Sequence, residues 1–361
     1  MEFYIYLYSF VFFFIFINIK LNKYSNNILI ILISFFYSLL IGFRFDVGGD
    51  WLNYQYMYNN IFLLRDSYNS IVNLDIKNFL INFNQTNLGF DILTSISRVL
   101  KIGLPGLNFL NAILFVTGLY IFLKNKKNNL LIILIALPIL IIIVGMGYTR
   151  QASALGLLFI AIKLLENGKI KNSIFFVILA FSFHKTAIFF AIIYIFYFKK
   201  INLFLLIFIL FTSAALYYLY FGNQINHIIY YYLGPGNDFI SIGAIPRTSL
   251  FLISSLIFFI KPENFVTNNN ELKLYSSISL LIIFLFPLVL VFSTALDRML
   301  IYFFSLQLLV FSQLDSFFKS YKNKYVINIC ISIFFFLILL TWLIFGKYSN
   351  HWIPYNNFLL L

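Results

Sequence analysis

Long apolar runs broken by short charged punctuation set the pattern of this chain. Residues 3–19, 28–43, 201–221 and 325–345 are nearly free of charge. Each comes close to the ~20 residues that carry a helix across a hydrocarbon core. The alternation of apolar and polar positions that a transmembrane barrel needs is absent from these runs. The pattern predicts an all-α, polytopic integral membrane protein. Further spans are expected at 105–123, 130–147, 151–166, 247–260, 274–293 and 299–314.

Two stretches break that rhythm. Residues 88–101 are expected to lie on one face of the membrane or dip into it, because a full crossing there would invert every later loop. Residues 173–198 are too long for one simple span. They read as two short arms, 173–183 and 185–198, a broken or re-entrant pair turning near His184. Counting the arms separately gives about 10–12 membrane segments of helix. The 361 residues read as a single membrane domain, with an outer loop at 44–87, partial helices to 104, and a second outer loop at 222–246.

Composition sharpens this. The chain is 62% hydrophobic and only 10% charged, far from a soluble domain. Segment 3–19 lacks a basic start and a small-residue cleavage site, so it is expected to stay as the first span. The lone Cys330 rules out an intramolecular disulfide and a Cys-based metal site. The net charge of +13 marks loops rather than a nucleic-acid partner.

Charge also sets sidedness. Placing the lysine clusters at 20–23, 124–127, 163–171, 199–200, 261–273 and 319–324 inside gives 15 Lys against four acids there, and 10 cations against eight acids outside. That satisfies the positive-inside rule and puts both termini outside. All six arginines then fall outside: Arg44, Arg65, Arg98, Arg150, Arg247 and Arg298. In a chain whose default cation is Lys, Arg points to planar, bidentate recognition of phosphate or carboxylate. Arg44, Arg150 and Arg298, at span ends beside other polar residues, carry that reading best.

Four polar groups share this outer side: Arg44, Asp46, Gly48-Gly49 and Asp50; Gly145 to Gln151, with Arg150; Phe183-His184-Lys185-Thr186; and Asp297-Arg298 followed by Tyr302. Arginines converging on one cavity suit a diphosphate, and an aspartate beside them suits general-base work on a hydroxyl. The plainer readings are an Asp–Arg pair capping a loop, a Gly-Gly turn, and an interfacial histidine. Trp51, Tyr54 and Trp352 fit an interfacial aromatic belt first, and sugar stacking is the second reading for Trp51 and Tyr54. The tyrosine-rich loop 230–238 would cover the site as a lid. No P-loop, dinucleotide-binding glycine pattern, nucleophile elbow or HExxH motif is present, and three histidines are few for a metal site. No metal or cofactor is expected. An outer-face transferase needs a donor already in the membrane, such as a lipid-diphosphate sugar.

Gly42-Phe-Arg44-Phe-Asp-Val-Gly48-Gly49-Asp50-Trp-Leu-Asn-Tyr54 resembles the first outer loop of EpsG-type proteins, Wzy-like polymerases of capsule, exopolysaccharide and O-antigen units. Asn87-Leu-Gly89-Phe90, Arg150-Gln151-Ala-Ser-Ala154, Ala180-Phe-Ser-Phe183-His184-Lys-Thr-Ala187 and Asp297-Arg298 to Tyr302-Phe303 resemble later motifs of that family, in the same order. Gly49 departs from the commoner Thr. The resemblance implies a multi-pass protein of the bacterial cytoplasmic (inner) membrane, with its active site on the periplasmic or extracellular face. It implies joining of undecaprenyl-diphosphate-linked repeat units, as donor and acceptor. A flippase and a chain-length regulator of the same pathway are the implied protein partners. On this basis Asp50 is the first candidate base, with His184 and Asp46 behind it. Arg44, Arg150, Gln151, Arg298, Trp51 and Tyr54 are candidate substrate contacts. A flippase for the same lipids is the rival reading, and a glycan ligase is a second.

Overall fold

The computed structural model describes residues 1–17, 23–60, 87–198, 243–290 and 292–360. Most of the outer loop 44–87, the span expected at 201–221 and most of loop 222–246 lie outside the described residues. The described chain forms two compact units, residues 1–188 with 311–361, and residues 189–310.

The first unit is all-helical. Its helices are α1 (Glu2–Ile17), α2 (Lys23–Gly42), α3 (Trp51–Asn60), α4 (Leu88–Val99), α5 (Gly103–Leu123), α6 (Asn129–Ala136), α7 (Thr149–Glu166) and α8 (Ile170–Phe183). After α6 the helix continues as a wide π-helix over Leu137–Gly145. Pro138 has no N–H for the α-helical ladder, and the looser i→i+5 pattern runs through it. This α6–π element is buried almost throughout, so it is the centre of the unit. The expected break at His184 is present: α8 stops at Phe183, His184 is extended, and a 3-10 helix follows over Lys185–Ala191.

The second unit holds α9 (Ile192–Tyr197), α10 (Ala244–Ile260), α11 (Asn269–Leu285), α12 (Ser293–Leu300) and most of α13 (Phe304–Ser312). Aromatic contacts pack it: Phe251 on Phe304, Phe258 on Tyr275 and Phe190 on Phe303. The last long helix, α14 (Tyr321–Phe345), returns to the first unit.

Five described stretches are long and apolar enough to cross a membrane: Ser25–Gly42, Gly103–Leu123, Asn269–Val289, Ser293–Phe317 and Lys322–Phe345. The protein is a multi-pass membrane protein. Helices suit this setting because each satisfies its own backbone hydrogen bonds where water is absent. On α14, Ile333, Leu337, Ile344 and Phe345 are exposed, as a lipid-facing surface requires. Interior packing uses small residues instead. α5 crosses α7 so closely that a side chain at Gly118 would run into the Gly156 carbonyl.

The first unit has two chemically different ends. At one, Lys126 and Lys163 both pair with the buried Glu166. Asn26 bonds Asn129, and Asn128 bonds Ser312 and Asp315. Lysines 124, 127, 169, 171, 319, 322 and 324 flank these same turns. The opposite end gathers Arg44, Arg98 and Arg150, with the turn at Met146–Tyr148, His184 and the segment after α14. Within this unit the described arginines thus gather at the end opposite the lysine clusters, with Lys185 and Lys347 beside them.

Candidate active site

The arginine end is built on the C-terminus of α2. A helix leaves its last carbonyls without partners, and here three side chains or turns supply them. Phe43 N–H donates to Leu39, the Tyr355 hydroxyl donates to Leu40 at 3.0 Å, and Arg44 Nη1 donates to Ile41. Arg44 also donates through Nε to the Val47 carbonyl at 3.2 Å and through Nη2 to Thr149 Oγ1 at 2.7 Å. Its guanidinium lies 5.9 Å from the Trp51 ring centroid. The side chain is fully buried. Burial pulls its pKa down to about 10, so it stays charged at neutral pH.

Arg44, expected to contact a diphosphate, is placed inside the protein in this structure. Each guanidinium nitrogen is already committed to the protein, and no face reaches solvent. Arg44 ties the end of α2 to the head of α7. From there a polar ladder enters the bundle: the Ser153 hydroxyl donates to Asn111 Oδ1 at 2.7 Å and to the Thr149 carbonyl at 3.1 Å.

The glycine pair has a positional reason. Gly48 has φ +109°, and a side chain there would collide with the Met146 carbonyl. Gly48 N–H donates to the His351 carbonyl at 2.8 Å. The segment after α14 therefore lies directly on the 44–50 loop. Arg44 and Asn357 form an antiparallel bridge, and Trp352 seals the join. The Trp352 indole donates to the Ile142 carbonyl at 3.0 Å, stacks edge-on against Trp342, and sits where Gly147 leaves no room for a side chain. Trp352 is 1% exposed, so it is a core plug and not part of an interfacial belt.

Trp51 and Tyr54, expected to contact substrate, are placed inside as well. Both are buried, because α3 presses this face onto the junction. Trp51 packs against Phe45 and reaches only the wall of a groove of about 450 Å³, lined also by Asp46, Gln55, Tyr58 and Phe358. Tyr54 accepts a 3.3 Å bond from the Arg150 amide, and its ring lies 5.7 Å below the Arg150 guanidinium. Burial pushes the Tyr54 hydroxyl pKa up, against the pull of Arg150.

Arg150 is different from Arg44. It is only half-buried, and its Nε, although buried, has no partner among the described residues. Asp50, half-buried just before α3, acts electrostatically on Tyr54. Asp46 is exposed in a left-handed turn, and Gln151 is buried. His184 is half-buried with Nδ1 2.6 Å from Thr186 Oγ1.

Sequence reasoning did not single out two further residues, although one of them lies in a polar group it marked. Asp91 is buried in the first turn of α4, and Lys185 follows His184. Lys185 feels the charges of both Arg150 and Asp91. Arg150, Lys185, Asp91, Asp50 and Tyr54 thus form one electrostatic neighbourhood. Among the described residues, no group of three or more His, Cys, Asp or Glu side chains is placed to hold a metal.

Arg298 belongs to the second unit, where it is exposed on α12. Its neighbour Asp297 makes a bidentate pair with Arg247, Nε to Oδ1 at 2.9 Å and Nη2 to Oδ2 at 2.6 Å. Arg247 is therefore the structural partner of Asp297 in that unit.

The family model described as EpsG family matches residues 27–357. The chain belongs to the EpsG family. EpsG proteins are Wzy-like polymerases, and membership points to a polymerase-type role in exopolysaccharide or O-antigen synthesis. No curated protein and no solved structure matches the chain.

Proposed function

We propose that this EpsG-family protein polymerises undecaprenyl-diphosphate-linked oligosaccharides on the outer face of a bacterial cytoplasmic membrane. The observation that carries this reading is Arg150: a half-buried side chain whose buried Nε is unpartnered among the described residues, at the end of the bundle opposite the lysine clusters. Lysine-rich ends face the cytoplasm, which leaves Arg150 on the outer side.

In the reaction, a hydroxyl oxygen of the acceptor glycan attacks the anomeric carbon of the donor glycan. The bond from that carbon to the diphosphate oxygen breaks, and the hydroxyl proton passes to a base. Arg150 holds the leaving diphosphate and stabilises its growing charge, a role worth about 3–4 kcal/mol for a preorganised donor in a dry site. Asp50 takes the proton, with His184 and Asp46 as the other candidates. Arg44 keeps the α2–α7 junction in register rather than touching substrate. The polyprenyl chain lies along α4, whose exposed Ile92, Ile96, Val99 and Leu100 border an apolar groove.

The test is a strain lacking this chain, in which lipid-linked glycans and surface polymer are analysed together. Single repeat units on the outer face with no long polymer, rescued by wild type but not by Arg150→Lys, are expected. Repeat units trapped on the inner face would make the protein a flippase and strip Arg150 and Asp50 of their catalytic roles.

A further inference from the structure

α4 wears its polarity inside out. Asp91, Thr94 and Ser97 are buried, while Ile92, Ile96, Val99 and Leu100 are exposed. A 12-residue helix is too short to cross a membrane. Its apolar face is outward, as lipid would require, and it holds a carboxylate within the protein. Ionisable groups placed this way are costly and face partners or cavities.

The partner is set by packing. Gly89 meets the end of α8 so tightly that a Cβ would lie 2.6 Å from Ser182 Oγ and 2.7 Å from the Phe183 ring. Asp91, two residues after Gly89, and Lys185, two residues after Phe183, are thereby brought to one junction. Phe90 ties that junction to the site: its ring is 5.7 Å from Tyr54, the ring that Arg150 covers. Lys185 interacts with Asp91 favourably and with Arg150 unfavourably. An anion placed between the two cations would be attracted by both.

We infer that Lys185 is a second diphosphate-binding residue beside Arg150, and that Asp91 is its resident counterion, exchanged for the diphosphate when substrate binds. The inference rests on the polymerase reading for the identity of the lipid. Arg150 then supplies planar donors and Lys185 a point charge, a division of labour that suits the several oxygens of a diphosphate. Asp91 keeps Lys185 positioned in the empty site and is freed from it in the loaded one. The shared ligand chemistry is a diphosphate, whether free or on a polyprenyl lipid.

The experiment uses the full chain in lipid nanodiscs, with radiolabelled undecaprenyl diphosphate as probe and inorganic diphosphate in a parallel arm. Lys185→Met should weaken lipid binding about ten- to hundredfold, as loss of a charge-assisted contact does. Lys185→Arg should stay within about threefold of wild type, since the charge is kept. Asp91→Asn should bind the lipid more tightly than wild type, because the ligand no longer displaces an anion. A purely structural Asp91 would show the reverse. Wild-type binding of the lipid with Lys185→Met binding equally well overturns the inference and leaves the polymerase reading intact. So does weaker binding by Asp91→Asn in protein that still elutes as a single folded species. Failure of the wild type to bind the lipid overturns both. Equal binding of inorganic diphosphate would assign the site to the free anion and overturn the lipid assignment.

Discussion

Arg44→Lys separates a structural arginine from a ligand-binding one. The three guanidinium nitrogens reach acceptors in three places: Ile41 at the end of α2, Val47 in the loop, and Thr149 at the start of α7. A lysine ammonium is one point and can keep about one of them. Two buried acceptors then lose their donor, at about 1–3 kcal/mol each, so the loss is about 2–6 kcal/mol. Thr149→Val removes one charge-assisted bond without changing shape, at about 1.5–3 kcal/mol, and Thr149→Ser should restore it. The assay is equilibrium unfolding in mixed micelles, paired with lipid-diphosphate binding per folded molecule. The expected order is Arg44→Lys below Thr149→Val below wild type in stability, with binding by the folded fraction retained. An Arg44→Lys protein as stable as wild type that no longer binds the lipid would refute the structural role. Acidity adds a second check. The folded pKa of about 10 lies below the ordinary arginine value, so the unfolded chain holds more protons only between the two. Stability from this group therefore rises with pH only through that window. Below it the burial cost is constant, and the Thr149→Val deficit should be flat from about pH 6 to about pH 9.

Other substitutions probe the frame. Gly48→Ala forces a side chain onto the Met146 carbonyl at a left-handed position. It should cost well over ~1 kcal/mol and lower the folded yield seen by size-exclusion chromatography. Gly156→Val presses on Leu114 and Phe115 of α5 and should lower thermal stability by at least about 1–3 kcal/mol; an unchanged melt would sink the close-crossing argument. Glu166→Gln strands Lys126 and Lys163 at the lysine-rich end and should cost about 2–4 kcal/mol in the same assay, without changing lipid binding. Arg247→Lys replaces a bidentate pair that is partly exposed, so the expected loss is only about 1 kcal/mol, and it should vanish in an Asp297→Asn background.

Much of the frame was legible from composition. Apolar run length fixed the helical class, lysine spacing marked which turns of the first unit share an end, and the overlong stretch at 173–198 exposed the break at His184. The role of Arg44 was not legible. Beside Asp46, Gly48 and Asp50, an arginine that binds a ligand and one that caps a helix look alike in sequence. The difference lies in partners 105 residues away at Thr149, and in Tyr355, which caps Leu40 across 315 residues. Trp352 misled for the same reason: an aromatic near a span end is ordinarily interfacial, and only the missing side chain at Gly147 makes it a plug. Asp91 was overlooked because α4 reads as a conventional amphipathic helix. In lipid its apolar stripe faces outward, so the polar stripe is the buried one.

The join between the 44–50 loop and residues 351–358 also constrains the order of events during synthesis. Tyr4 and the Trp352 carbonyl that it bonds are 348 residues apart. Until α14 has entered the bilayer and turned back, Gly48 lacks its carbonyl partner and Leu40 lacks the Tyr355 hydroxyl. The arginine end therefore stays open through nearly all of membrane insertion and closes as one late, long-range event. Partly made chains are therefore held unfinished at this end by their own topology.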